Sequence, residues 1–482
     1  MRWGFVFQYV GILVFFLGLT MLLPMAVGLY YADGSAGPLA WSAAAAILCG
    51  AFPFGVRGRE KTEHISQREG MAIVAISWAS IGLFGALPFY ISGIFATFAD
   101  AFFEAVSGFT TTGASVLTEV ESVAAGLLFW RSFIQWLGGM GIIVLTIAIL
   151  PFLGVGGFQL YKAEVPSPVP DKLKPRIRDT AKALWKVYVL FSLAEVLLLI
   201  LGGMSLYDSL CHTFTTMPTG GYSTKNLSVA HFESLYFDVV IMVFMVLAGI
   251  NFSLHFRMLQ AKPLSYWHNP ECRFFLVTLF ILICAVSATL FGTVYDTIGE
   301  SLRYGSFQVI SILTTTGYAT ADYNQWPAVA QLVILMCMFA GASAGSTAGG
   351  MKIMRIIVCL KFCYKELFNL LHPHSVTHVK IGGRPVPDTV INGVLGFMAL
   401  YIGIFALCSV ILAGMGVDFV TSFSAVAASI GNIGPGLAMV GPAGNYADIP
   451  YFGKWLLSWL MLMGRLEIYT IIIFLVPEFW RK

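Results

Sequence analysis

Four short polar turns, each with a glycine, interrupt an otherwise apolar chain. They read Ser107-Gly108-Phe109-Thr110-Thr111-Thr112-Gly113-Ala114 and Thr215-Thr216-Met217-Pro218-Thr219-Gly220-Gly221-Tyr222. The third is Ile312-Leu313-Thr314-Thr315-Thr316-Gly317-Tyr318-Ala319 and the fourth Ser429-Ile430-Gly431-Asn432-Ile433-Gly434-Pro435-Gly436. Such turns offer backbone carbonyls, and four sets on one axis can replace the water shell of a dehydrated cation. Glycine permits φ values closed to other residues, so consecutive carbonyls can point the same way. Threonines ahead of it can add a hydroxyl without a formal charge. No acidic residue lies in the turns. A carboxylate ring would favour strongly hydrated or divalent ions, whereas neutral carbonyls suit a large monovalent ion such as potassium. Ordinary turns between short amphipathic helices would account for one such turn, but poorly for four in register.

The elements that must hold these turns are membrane spans. Of 482 residues, 58% are hydrophobic and only 11% charged, against roughly a quarter charged in soluble domains. The fold class predicted is an all-α polytopic membrane protein, with four helix–pore loop–helix pseudo-repeats around a central pore. Two apolar runs, 5–30 and 39–53, come first as a hairpin through Asp33-Gly34. The first is too long for a cleaved signal, and Ala43 to Ala46 in the second suit close helix packing. Units then recur: 70–95, 100–110 and 127–152; 184–201, 207–216 and 235–256; 274–291, 302–313 and an interrupted run 329–358; 390–413, 419–430 and 454–476. The turn glycines Gly113, Gly220, Gly317 and Gly434 fall about 100 residues apart, as an internal repeat would place them. The corresponding regions are 1–69, 70–182, 183–272, 273–388 and 389–482. Asp100 and Asp208 sit at the starts of two short helices, where the helix dipole favours negative charge.

Basic residues cluster between the units: Arg57, Arg59, Lys61 and Arg68; Lys162, Lys172, Lys174, Arg176 and Arg178; Arg257, Lys262 and Arg273; Lys361, Lys365, Lys380 and Arg384; and Arg481-Lys482. The positive-inside rule puts them in the cytoplasm. The expected topology is about ten crossings, both termini cytoplasmic, with the pore loops dipping in from outside. The eight cysteines show no paired spacing and read as buried thiols.

The segment Gly341-Ala342-Ser343-Ala344-Gly345-Ser346-Thr347-Ala348-Gly349-Gly350 breaks the third unit. It could be a G-x-x-x-G packing face on Gly341, Gly345 and Gly349. It could instead be an unwound segment beneath the turns, since each helical glycine costs roughly 1 kcal/mol relative to alanine. A phosphate loop does not fit, because Lys352 is displaced and no strand precedes it. Arg465 falls inside the last apolar run, where an ionisable residue is a functional candidate, the alternative being a side chain that snorkels to the interface. Arg131 and Gln135, four apart on one helix, read as structural anchors. His372, His374 and His378 have spacing that permits a metal, without a cysteine or carboxylate to support it, and read as a solvated loop.

These features together resemble the superfamily of potassium transporters that includes the Trk and Ktr systems. The stretch Trp136-Leu137-Gly138-Gly139-Met140-Gly141-Ile142-Ile143-Val144, and Leu153-Gly154-Val155-Gly156-Gly157-Phe158-Gln159-Leu160-Tyr161-Lys162-Ala163-Glu164 after it, look like the Trk branch. The two extra N-terminal helices agree. The resemblance implies potassium uptake through the bacterial inner membrane, a homodimer, and a cytoplasmic ring of TrkA-type regulatory subunits. A nucleotide (ATP/ADP or NAD) is expected on that partner, with no cofactor bound to this chain and no nucleic acid. It implies a filter of Thr111, Thr112 and Gly113; Pro218, Thr219 and Gly220; Thr315, Thr316 and Gly317; and Asn432, Ile433 and Gly434. The fourth set lacks threonine, so its selectivity is expected to be looser. The resemblance also favours an intramembrane gate of Gly341, Gly345, Ser346, Thr347, Gly349, Gly350 and Lys352, with Arg465 near the path. A less selective cation pathway, or a sodium- or proton-coupled symporter, is the alternative. An enzyme ranks far below, because the chain has no H-E-x-x-H, no G-x-S-x-G and no paired acids in its spans.

Overall fold

The computed structural model describes residues 1–57, 66–148, 177–260 and 264–481. The stretch 153–164 and residues Arg59, Lys61, Lys172, Lys174, Arg176, Lys262 and Lys482 lie outside them. The chain is helical almost throughout, and among the described residues the only paired strands form a two-stranded hairpin, Lys380–Ile381 with Arg384–Pro385. Six described helices are long and apolar enough to cross a membrane, eight if each of two bent pairs counts once. The expected ten are reached only by adding the second span of unit 1, described to Ala148, and that of unit 3, which stops after 13 residues.

Each unit repeats a first span, a short pore helix and a second span. The pore helices are Phe98–Phe109, Leu206–Thr216, Ile298–Leu313 and Phe419–Gly431. At 1.5 Å per residue they reach roughly 17–24 Å, short of a ~30 Å hydrocarbon core. All four start on a side-chain cap. Thr97, Ser205 and Thr297 accept from the N–H of Asp100, Asp208 and Glu300, and each hydroxyl donates back to that acid. The fourth reverses the pair: Asp418 accepts from the N–H of Thr421 at 3.0 Å.

Charged contacts cross every boundary between units. Arg131 of unit 1 donates to the Ser223 carbonyl of unit 2. Asp238 of unit 2 pairs with Arg303 of unit 3 at 2.6 Å. Arg355 of unit 3 pairs with Glu467 of unit 4, and Lys454 of unit 4 with Asp100 of unit 1 at 2.5 Å. The four units therefore close into a ring.

Two second spans are broken where a continuous helix was expected. In unit 2 the helix Leu235–Gly249 stops at extended Ile250, and Asn251 caps a new helix, Phe252–Leu259, bent by 102°. In unit 4 the helix Tyr451–Arg465 ends at Arg465, and the chain turns by 113° through Glu467 and Ile468, both at positive φ. Arg465 thus closes a helix at the break of this bent pair and does not lie within a continuous helix.

The N-terminal hairpin packs through small residues, as its sequence predicts. A Cβ on Gly18 would stand 2.9 Å from the Ala43 carbonyl, and one on Gly126 2.2 Å from Ser35 Oγ. Asp33 ties the hairpin to unit 1, accepting from the N–H and hydroxyl of Ser35 and from the N–H of Gly126. Partial burial raises its pKa, but these hydrogen bonds outweigh burial and hold it below the ordinary aspartate value. A lowered carboxyl pKa stabilises the fold at pH values above the unfolded value of ~4, and that contribution is lost as pH falls through the lowered value. Asp33→Asn is expected to lower the Tm in detergent by about 1–2 °C at pH 7. The gap should close below about pH 4, which a thermal series over pH would read.

Candidate functional site

The four turns meet on one axis. A Cβ on Gly113 would lie 2.0 Å from the Gly220 carbonyl oxygen, one on Gly221 2.0 Å from that of Thr316, and one on Gly317 2.0 Å from that of Ile433. One on Gly434 would lie 2.8 Å from the Thr112 oxygen, which closes the cycle. The carbonyls of Thr112, Gly220, Thr316 and Ile433 therefore form a ring, each seated against the preceding unit's glycine. All four glycines have positive φ (82°, 73°, 84° and 98°), so any side chain there is both strained and blocked.

One set differs from expectation. In every unit a residue two before the glycine bonds back by three residues, and the next by five: Thr111 and Thr112, Thr219 and Gly220, Thr315 and Thr316, Asn432 and Ile433. The first of each pair is left-handed, with φ 53°, 59°, 60° and 53°. This alignment makes Gly221, not Gly220, the counterpart of Gly113, Gly317 and Gly434. The second set is Thr219, Gly220 and Gly221. Pro218 lies behind the ring, 2.5 Å from where a Cβ on Gly139 would be. Adjacent glycines left the register open in the sequence, and the hydrogen bonds fix it.

Left-handed threonine is unfavourable for a β-branched residue and costs of order 1–2 kcal/mol. The two bonds per turn follow the Schellman pattern that ends many helices, with threonine or asparagine where glycine is usual. The hydroxyls brace the turns. Thr112 bonds Thr110 at 2.7 Å and accepts from the Asn432 amide at 3.0 Å. Thr316 bonds Thr314, Thr219 donates to the Pro218 carbonyl, and Thr315 accepts from Gly349 N–H at 2.7 Å. Carbonyls supply the ring, and Asn432 replaces a threonine by linking unit 4 to unit 1.

Buried aromatic and charged side chains fix the surroundings. Tyr222 OH donates to the carbonyls of Glu104 and Ala114, Tyr318 OH to that of His212, and Tyr446 OH to that of Gly434. Arg131 pairs with buried Glu104 at 2.7 Å and lies 3.5 Å over the Tyr222 ring. Glu104 also accepts from Ser115 Oγ and Val116 N–H. Arg131 is the anchor its sequence position suggested.

The segment after Ala340 is not helical until Ile353, which removes the packing-face reading. Its neck closes where Gly341 meets Gly349 and Gly350: a Cβ on Gly341 would stand 2.4 Å from the Gly349 carbonyl. The loop lies against the inner end of the turns, where they leave the pore helices. Gly349 meets Thr315 and, 2.2 Å from its Cβ position, the Gly431 carbonyl. Thr347 Oγ1 donates to the Met217 carbonyl at 3.0 Å. From the other side Arg465 Nη1 donates to the Thr347 carbonyl at 2.7 Å, while its Nε and Nη2 meet no described acceptor. Ser346 braces the loop through Ser343, and Lys352 Nζ donates back to Ala348. Gly345 packs on Asn251, and its carbonyl accepts from Phe252 N–H. The loop thus also touches the breaks in units 2 and 4.

Glu271, in the first turn of unit 3's first span, accepts from Ala344 N–H at 2.6 Å. Nothing in the sequence joins residues that far apart, and an acid in a first turn reads as an ordinary helix start. His372 stacks on Phe368 with ring centroids 4.5 Å apart. Among the described residues no group of three or more His, Cys, Asp or Glu could hold a metal ion.

Residues 43–482 match the family model TrkH, described as a cation transport protein. The chain is 40% identical over 479 residues to the Trk system potassium uptake protein TrkH of Salmonella typhimurium, covering 98% of this chain and 99% of that protein. It is 36% identical over 476 residues to the Trk system potassium uptake protein TrkG of Escherichia coli, covering 98% and 97%. The crystal structure of the potassium transporter TrkH from Vibrio parahaemolyticus superposes with a TM-score of 0.92 at 37% identity, over all of both chains.

Removing one partner of a buried ion pair strands the other charge and costs about 3–5 kcal/mol. Arg131→Met is therefore expected to reduce the yield and Tm of purified protein sharply, and Glu104→Gln added to it should recover part of the loss. Equal stability of Arg131→Met and the unaltered chain would contradict this account of the pair.

Proposed function

Because this chain belongs to the TrkH family of cation transport proteins, we propose that it carries potassium into the cell across the bacterial inner membrane. The observation that carries the reading is the closed ring of four carbonyls, each backed by the preceding unit's glycine. Neutral oxygens held at fixed spacing replace the hydration of a large monovalent cation, and rigid bracing penalises a smaller one. The glycine-rich loop is the gate. It occupies the inner end of the turns, and its displacement would open the way below the ring. Arg465 places a buried positive charge beside that loop, which disfavours a resting cation there.

The gate would be driven from the cytoplasm by a TrkA-type ring that binds ATP/ADP or NAD, with this chain acting as a homodimer. The names of the relatives support a multi-component system. A less selective monovalent-cation pathway is the second reading. It is favoured by the unlike residues at one ring level, Thr112, Gly220, Thr316 and Ile433.

Uptake of rubidium and sodium into vesicles holding the purified protein tests both. The unaltered chain should prefer rubidium, and Gly113→Ser should lose that preference, since its side chain displaces the Gly220 carbonyl. Equal uptake of both ions by the unaltered chain would favour the second reading. Shortening the loop between Gly341 and Gly350 should raise rubidium flux, and unchanged flux would rule out a gate.

A further inference from the structure

Gly220 stands in the ring where the other units carry Thr112, Thr316 and Ile433. No side chain fits there while Gln135 keeps its place, because a Cβ would lie 2.4 Å from both Cδ and Oε1 of Gln135 and 2.8 Å from its Nε2. Gln135 reaches in from the second span of unit 1 and is fully buried. Its Nε2 donates to the Gly220 carbonyl at 2.9 Å, and its Oε1 accepts from Tyr222 N–H at 3.3 Å. One amide therefore brackets Gly221, holding the carbonyl that precedes it and the N–H that follows it. The oxygen it holds is the same one that seats against Gly113. Among the described residues, no side chain donates to the ring carbonyls of Thr112, Thr316 or Ile433.

We propose that Gln135 is a specificity-determining positioning residue: by fixing the Gly220 carbonyl it sets how strictly the ring discriminates between monovalent cations. This rests on the filter reading above. Paired glycines make this the least intrinsically restricted of the four turns, because neither residue limits its own φ and ψ. In the other three units the side chain at this position helps restrict the backbone, and in unit 2 that role falls to the neighbouring helix. A carbonyl oxygen has two lone pairs, so it accepts from the amide and still faces the axis. Without the amide the peptide can turn its oxygen away, and three fixed oxygens accommodate ions of different size more evenly.

The unaltered protein, Gln135→Met, Gln135→Ala and the double variant Gln135→Ala/Gly220→Thr are compared for rubidium and sodium uptake in vesicles. Methionine keeps the bulk of the side chain and removes both hydrogen bonds. Gln135→Met and Gln135→Ala should lose about three- to tenfold in rubidium-over-sodium preference, the range for one neutral hydrogen bond, while still transporting rubidium. The double variant puts threonine in the vacated space, as in units 1 and 3, and should recover the preference to within about twofold. Should Gln135→Ala fail to fold, Gln135→Met carries the test. A Gln135→Met protein that keeps the full preference overturns the proposal. Absence of any preference in the unaltered protein sinks the filter reading instead, so the two failures are distinguishable.

Discussion

The fold depends on one close approach, made four times: a carbonyl oxygen occupying the space where the neighbouring unit's glycine would carry a side chain. The distances leave no room for a methyl group at any of the four positions. For the backbones to come so near, the surrounding helices must come near as well. Gly138 lets unit 1's second span lie on the Phe109 carbonyl, and Gly464 does the same for unit 4 against Ile430. The tyrosines at the turns and the charged contacts between units then hold the backbones at that separation. In a bilayer there is no hydrophobic force between helices, so packing and hydrogen bonds of this kind must supply the cohesion.

Much of this was legible in the sequence. Asp100 and Asp208 marked the starts of two pore helices, and apolar length marked the spans. The four glycine turns marked the site. The second turn misled because Gly220 and Gly221 are adjacent, and composition alone cannot tell which takes the left-handed conformation. The left-handed threonines were hidden for the opposite reason: propensity argues against them, and tertiary packing overrides it. The breaks at Ile250–Asn251 and after Arg465 were also missed: neither carries a proline, and the polar residues there, Asn251 at the first and Arg465 and Glu467 at the second, were read as part of a continuing span. Gln135 was read as an anchor because its spacing to Arg131 was visible, while its partner 85 residues away was not.

The breaks share a location. The loop of unit 3 hydrogen-bonds to Gly249 and Phe252 at the break in unit 2, and to Arg465 at the one in unit 4. Helix ends leave backbone groups without partners, and inside a membrane these must be satisfied by protein or water. Here three interruptions satisfy one another. Under the gating reading, the loop can move only if those groups find other partners, which couples its position to helices on both sides and, through Glu271, to the start of unit 3's first span.

The four seams between units are built from different chemistry: an arginine over tyrosine at one, aspartate with arginine at the next, arginine with glutamate, then lysine with aspartate. A symmetric assembly of four identical subunits would feel any substitution four times over, so its mutations are all-or-nothing. In a single polypeptide with four unlike quarters, each change is felt once. Evolution can then adjust such a molecule in quarter steps, trading strictness at one seam against throughput at another without rebuilding the whole.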